Sequence, residues 1–395
     1  MKHNFIVWGI FLFVLWTSIF RAHGQMHMPE TIDARIFSGI SLTSFSFTPA
    51  SGSYVLRDEK GQTLMRLEKF QQLSVQLNPR GIYVSAKDSI FFVEGSLSLE
   101  GKRLENFFFV RPHQSAESYR VYDDFLLVYP GEEELILVNR VGYDNYLAGV
   151  VESESGFNRH PEFYKVQTIL ARTYALENSR RQVHSGYDVC DQVHCQAYYG
   201  RSRYPAIMQA VFHTYGDVVA DPHNRLISAV YHANCGGETV ASGDLWPNHL
   251  PYLQRVEDPY CLESPGARWE ATIAKDSLLS FLNDQYGINP PPAQTKALQR
   301  FSQPARLLSL DQEGLITLRS IREHFRLRST FFSYETRNDS LHISGRGYGH
   351  GVGLCQEGAM QMAMQGYSKD QIIGFYYKGV RIINLEVIPF EFMPW

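Results

Sequence analysis

Residues 143–178 read YDNYLAGVVESESGFNRHPEFYKVQTILARTYALEN. The first part, through Val151, is apolar and reads as strand-like. It breaks at a carboxylate cluster, Glu152 and Glu154. From Pro161 onward Phe163, Val166, Ile169, Leu170, Thr173, Tyr174 and Leu176 recur every three to four positions, which predicts an amphipathic helix. Pro161 suits the first turn, where its missing N–H costs nothing. This reading places an acidic side chain in a loop just ahead of a helix, where it can face a groove. The same place suits a glutamate for a purely structural reason, because the positive end of a helix dipole favours it.

Before this stretch the chain opens like an export signal. Lys2 and His3 are basic, Phe5 to Phe20 is almost wholly apolar, and Ala22-His23-Gly24 supplies small residues, so cleavage is expected before Gln25. The apolar run of about sixteen residues is short for a spanning helix of roughly twenty. The expected location is therefore outside the cytoplasmic membrane, in the cell envelope.

The remainder of the 395-residue chain is long enough for two or three lobes. A formal net charge of −4 gives no basic footprint, so nucleic acid is not an expected partner. Residues 25–117 alternate apolar and polar positions in ISLTSFSFTPASGSYVLRD, LSVQLNPRGIYVSAKD and DSIFFVEGSLSLEGKRLENFFFVRP, and read as a β-rich lobe. Two further strands around Pro130-Gly131 lead into residue 143. Residues 263–339 are more polar. They contain the linker signal Asn289-Pro290-Pro291-Pro292 and read as an inserted or flanking lobe. Their arginines (Arg300, Arg306, Arg319, Arg322, Arg326, Arg328) read as solvated strand edges rather than a site for an acidic partner. The expected class is α+β, with strands and helices forming a groove between lobes.

Two regions are dense in cysteine and glycine. HSGYDVCDQVHCQAYYG, residues 184–200, brings His184, Cys190, His194 and Cys195 together. A zinc site, a disulfide and two free thiols are all compatible with it. Cys235 and Cys261 are candidates for a disulfide that would add about 3 kcal/mol, which leaves Cys355 over. In SLHISGRGYGHGVGLCQEGAMQMAMQGYSKDQIIGFYYKGV, residues 340–380, glycines fall at every second position from Gly345 to Gly353 and a helix follows. Neither GxxxxGK[ST] nor GxGxxG spacing is present, so no nucleotide is expected. The loop instead presents His350 and Gln356.

Three stretches together resemble the sporulation stage II protein D / amidase-enhancer (SpoIID/LytB) domain of cell-wall proteins. They are YLAGVVESE…VQTILARTYAL, then DVCDQVHCQAYYG with TYGDVV and AVYHANCGGET, then GRGYGHGVGLCQEGAMQMA. The resemblance covers about 118–262 and 340–382 and departs at Cys355, where serine is usual, and at Tyr348, where tryptophan is frequent. It implies lytic cleavage of peptidoglycan glycan strands stripped of stem peptides, with Glu154 as the single catalytic acid/base. By the same resemblance Arg172 handles substrate, with Tyr348, His350 and Gln356 beside it. Zinc is implied at His184, Cys190 and Cys195, with His194 as a further ligand. The alternative it carries is a non-catalytic enhancer that binds the wall and stimulates a cell-wall amidase.

Overall fold

The computed structural model describes residues 28–386 apart from 88, 102–105, 115–117, 181–185, 193–194 and 289–298. The export signal, His184, His194 and Asn289-Pro290-Pro291-Pro292 lie outside the described residues. Among those described, no helix is long and apolar enough to cross a membrane.

The architecture is α+β. One seven-stranded sheet runs, in spatial order, Val189–Cys190, Thr31–Ile36, Leu135–Gly142, Phe125–Pro130, Leu97–Glu100, Tyr54–Asp58 and Thr63–Leu67. A six-stranded sheet runs Arg120–Asp123, Phe107–Pro112, Ser44–Ser51, Leu73–Asn78, Gly81–Ala86 and Ser89–Val93. Alternation along Thr31–Ile36 and Gly81–Ala86 sends one face of each strand inward. Phe47, Tyr54 and Phe108 meet there, with ring centroids 4.8–5.6 Å apart. Leu135–Gly142 pairs with Thr31–Ile36 from Leu137 to Gly142, and its last residue adjoins the first helix.

That helix, α1 (Tyr143–Ser155), corrects the strand-like reading. Tyr143, Tyr146, Leu147, Val150 and Val151 fall on one side at spacings of three and four and are buried. Gly156, at φ +70, ends the helix and donates to the Glu152 carbonyl. Glu152 and Glu154 therefore sit in its last turn, not in a loop. The helix expected from Pro161 forms as α2 (Pro161–Arg180) and packs on α1.

The remaining helices among the described residues are α3 (Pro205–His213), α4 (Ser242–Leu245), α5 (Lys275–Tyr286), α6 (Leu318–His324), α7 (Gln356–Met364) and α8 (Lys369–Tyr376). The sheets named above share one continuous core with α1, α2, α3, α7 and α8. Described residues between 268 and 346 form a second core around Trp269, Phe281, Leu282 and Leu341. A four-stranded sheet backs it, ordered Arg268–Ala274, Ser340–Arg346, Phe332–Arg337 and Arg300–Phe301. Arg306 is a correction to the solvated-edge reading. It is 3% exposed, and its guanidinium donates to the carbonyls of Cys235 and Glu238.

Candidate active site

Glu154 is placed by two close approaches. α1 presents Gly149 to the 196–200 segment, where a Cβ would lie 2.2 Å from the Gly200 carbonyl oxygen. Only glycine lets the loop come this near. The loop is then held along α1 by Tyr199 N–H donating to Ser153 Oγ at 3.0 Å. At its near end the Ala197 N–H donates to Glu154 Oε1 at 2.7 Å.

On the other side runs the glycine loop. Tyr231–His232 pairs in parallel with Leu354–Cys355. Gly353, at φ +73, passes so close that a Cβ would be 2.1 Å from the Val230 carbonyl oxygen. This register brings His350 and Gln356 to Glu154. The Val352 N–H donates to His350 Nδ1 at 3.1 Å, which leaves the proton on Nε2, 3.0 Å from the Tyr231 carbonyl oxygen. Burial holds the His350 imidazole down to about 4, so it is neutral. Gln356 Nε2 lies 3.4 Å from both the Glu154 carbonyl oxygen and Gln167 Oε1.

Glu154 thus faces two small cavities. One, of about 170 Å³, is lined by Tyr174, Cys195, Tyr231, His350 and Gln356. The other, of about 330 Å³, includes Arg159, Phe163, Gln356, Glu357 and Met360. Desolvation raises the Glu154 carboxyl above the ordinary value, and the hydrogen bonds from the Ala197 N–H and the Tyr231 hydroxyl partly oppose it. Its place at the negative end of α1, with no basic residue in that turn, works in the same direction as desolvation.

Glu152, two residues earlier, turns elsewhere. It accepts from the Arg203 N–H at 2.7 Å and lines an open cleft of about 1060 Å³. Phe107, Phe157, Tyr199, Tyr204 and Arg203 form part of that cleft. Glu357 shares a cavity with Glu154, but both its oxygens are occupied. Oε2 accepts from Asn234 Nδ2 at 2.6 Å and from Gly266 N–H at 3.0 Å, and Oε1 is 3.2 Å from the same N–H.

Arg172 is not presented to the groove, against the expectation that it handles substrate. It is fully buried and donates to the carbonyls of Thr214 at 2.7 Å, Asp217 at 2.9 Å and Val211 at 3.4 Å. Its guanidinium ties the C-terminal end of α3 to the start of the strand Asp217–Ala220. Tyr348 is half exposed, lies 5.8 Å from the Arg328 guanidinium and pairs by its backbone with Asn234. Cys190 and Cys195 are both buried and neighbour one another, and burial pushes the Cys195 thiol up to about 12. A pair of converging thiols suits a soft cation.

Tyr231 and Ala197 are the site residues that the sequence reading did not single out. A backbone donor has no residue-type signal. Tyr231 lies inside the AVYHANCGGET motif, and its role depends on the parallel pairing with Leu354–Cys355.

Comparison with known proteins follows the same lines. Residues 131–220 match the family model described as Stage II sporulation protein, SpoIID. That span holds α1, α2, the 196–200 loop and Glu154. The chain is 27% identical over 274 residues to Stage II sporulation protein D of Bacillus subtilis, covering 65% of this chain and 78% of that protein. It is 28% identical over 272 residues to the protein of the same name from Bacillus amyloliquefaciens, again covering 65% and 78%. It is also 26% identical over 290 residues to the Amidase enhancer of Bacillus subtilis, covering 60% of this chain and 40% of that protein.

Proposed function

From a chain that carries a SpoIID-family domain, we propose a lytic transglycosylase acting on denuded peptidoglycan glycan strands in the cell envelope. The observation that carries this reading is Glu154. It is a carboxyl lifted by desolvation, held by a backbone N–H, and open to small cavities beside a neutral histidine.

The chemistry needs one carboxyl. Protonated Glu154 donates to the oxygen bridging N-acetylmuramic acid and N-acetylglucosamine, and the bond from that oxygen to the muramic anomeric carbon breaks. The ring gains oxocarbenium character. The ionised Glu154 then takes the proton from the muramic 6-hydroxyl as its oxygen bonds to the anomeric carbon, closing a 1,6-anhydro ring. No water is consumed, and Glu154 ends protonated as it began. The attacking hydroxyl belongs to the substrate, so its effective concentration is high. Hydrolytic glycosidases use a second carboxylate as base or nucleophile. Glu357, the other carboxylate lining this cavity, is tied up by Asn234 and Gly266.

We propose zinc at His184, Cys190 and Cys195, with His194 as a further ligand. Bound there, it would brace the loop that delivers the Ala197 N–H. A second reading, a wall-binding enhancer of an amidase, draws on the similarity to the Amidase enhancer and does not need an acidic Glu154.

The deciding experiment is mass spectrometry of glycan strands, with and without stem peptides, after incubation with the purified protein. Anhydro-muramic ends from denuded strands, absent with Glu154→Gln, are expected. Binding without any product would turn the assignment to the enhancer.

A further inference from the structure

The core holds a cluster that the chemistry above does not use. Cys235, Asp258, Cys261 and Cys355 each contribute one ligand atom, and these atoms all lie within 4.8 Å of one another. All four residues are 0% exposed. Cys235 Sγ is 3.4 Å from Cys261 Sγ and 3.2 Å from Asp258 Oδ2. A tetrahedral zinc with Zn–S bonds of about 2.3 Å sets its sulfurs roughly 3.8 Å apart, so the cluster already has nearly the size of a coordination shell.

The surroundings are arranged for negative ligands. Backbone N–H groups of Cys235 and Gly358 point at Cys355 Sγ, at 3.3 and 3.4 Å. Those of Gly236 and Gly237 point at Cys261. The Asp258 carboxylate is oriented by the Tyr376 hydroxyl on Oδ2 and the Tyr260 N–H on Oδ1, each at 2.9 Å. Donors of this kind orient and tune the ligands of metal centres. A Cβ on Gly358 would fall 2.4 Å from Asp258 Oδ2, so glycine there leaves the carboxylate its room.

The charge balance points the same way. A buried carboxylate amid thiols is costly unless a cation pairs with it. The buried Arg306 guanidinium donates to the carbonyl of Cys235, not to Asp258. A disulfide between Cys235 and Cys261 would use two sulfurs and leave Cys355 and Asp258, packed against them, out of the link.

We propose that Cys235, Cys261, Cys355 and Asp258 bind one divalent cation of zinc type in a closed, structural site with three sulfur ligands and one oxygen ligand. With four protein ligands the site keeps no position for substrate, and its role is to hold chain segments together. Cys355 caps α7 and directly precedes Gln356, which reaches Glu154 and Gln167. The cation therefore fastens one wall of the Glu154 cavity to the 235–261 segment. This inference is independent of the transglycosylase assignment.

The test is zinc release into a colorimetric chelator on denaturation, with the full-length protein purified in zinc-containing buffer. A Cys190→Ser/Cys195→Ser double variant removes the other thiol pair and is expected to keep one equivalent per chain. Cys355→Ser, a serine that the resembling proteins usually carry, is expected to lose one equivalent relative to wild type while circular dichroism stays native. Cobalt substitution of the double variant should give thiolate charge-transfer absorption and intense tetrahedral d–d bands. Zero metal in the folded double variant would overturn the proposal. So would a Cys235–Cys261 disulfide found by alkylation and peptide mapping without reductant. Should Cys355→Ser fail to fold, metal content and mapping of the double variant still decide.

Discussion

The Ala197 N–H donates to Glu154 Oε1 at 2.7 Å across 43 positions of sequence. Together with the bond from the Tyr199 N–H to Ser153 Oγ, it joins the last turn of α1 to the cysteine-bearing loop. With the Tyr231 hydroxyl, it holds the carboxyl in its cavity.

Glu154→Gln keeps an acceptor for Ala197 and removes the acid. Anhydro-product formation should fall by about 10²–10⁴-fold, the usual worth of a general acid–base group, with circular dichroism unchanged. Product analysis on denuded strands checks it.

The raised pKa of Glu154 sets the pH dependence. The acid form persists above the pH at which an ordinary glutamate ionises, and kcat/KM should fall as pH rises through the shifted value. Stability follows the same sign. The native state holds this proton more tightly than the unfolded chain, so the contribution of Glu154 to stability is greatest below the unfolded pKa and declines as pH rises through the folded one. Glu154→Gln should therefore flatten that decline. Melting temperature against pH for both proteins measures it.

Tyr231→Phe removes a hydroxyl that favours the ionised carboxylate. The alkaline limb of the kcat/KM profile should move to higher pH. An unmoved limb would show that this hydroxyl does not act on Glu154.

Gly149→Ala puts a methyl 2.2 Å from the Gly200 carbonyl oxygen. Backbone must give way, at a cost of about 1–3 kcal/mol, and Ala197 should withdraw from Glu154. Lower melting temperature and a larger loss in kcat than in KM are expected.

Arg172→Met removes the donor shared by the Thr214, Asp217 and Val211 carbonyls, and destabilisation of about 1–3 kcal/mol is expected from losing hydrogen bonds to a buried charged group. Below the melting temperature, KM for denuded strands should stay near wild type, because the guanidinium faces α3 and not the groove. A KM rise with unchanged stability would restore the substrate role.

Much of this was legible in the chain. Periodicity from Pro161 located α2, and the punctuated alternation of residues 30–112 located the β-strands. Valines and Gly149 lend Tyr143 to Val151 a strand-like look. Its buried positions nonetheless follow the helical spacing. Glu154 stands out only by its motif, while its carboxyl geometry rests on Ala197, whose contribution is a backbone N–H. Arg172 in ARTY carries no mark of whether it faces solvent or carbonyls. The third thiol, Cys355, read as left over because sequence spacing hides that the glycine loop folds it against Cys235 and Cys261.

The strand Thr31–Ile36 lies between Leu135–Gly142 and Val189–Cys190, hydrogen-bonded to both. The family match begins at residue 131, yet a fragment cut there would lose the strand that seals Leu137 and Val141. Its exposed edge would invite pairing between copies. The strand Thr31–Ile36 is therefore an integral part of the domain that the family match marks only from residue 131, and deletion mapping of this protein should retain it.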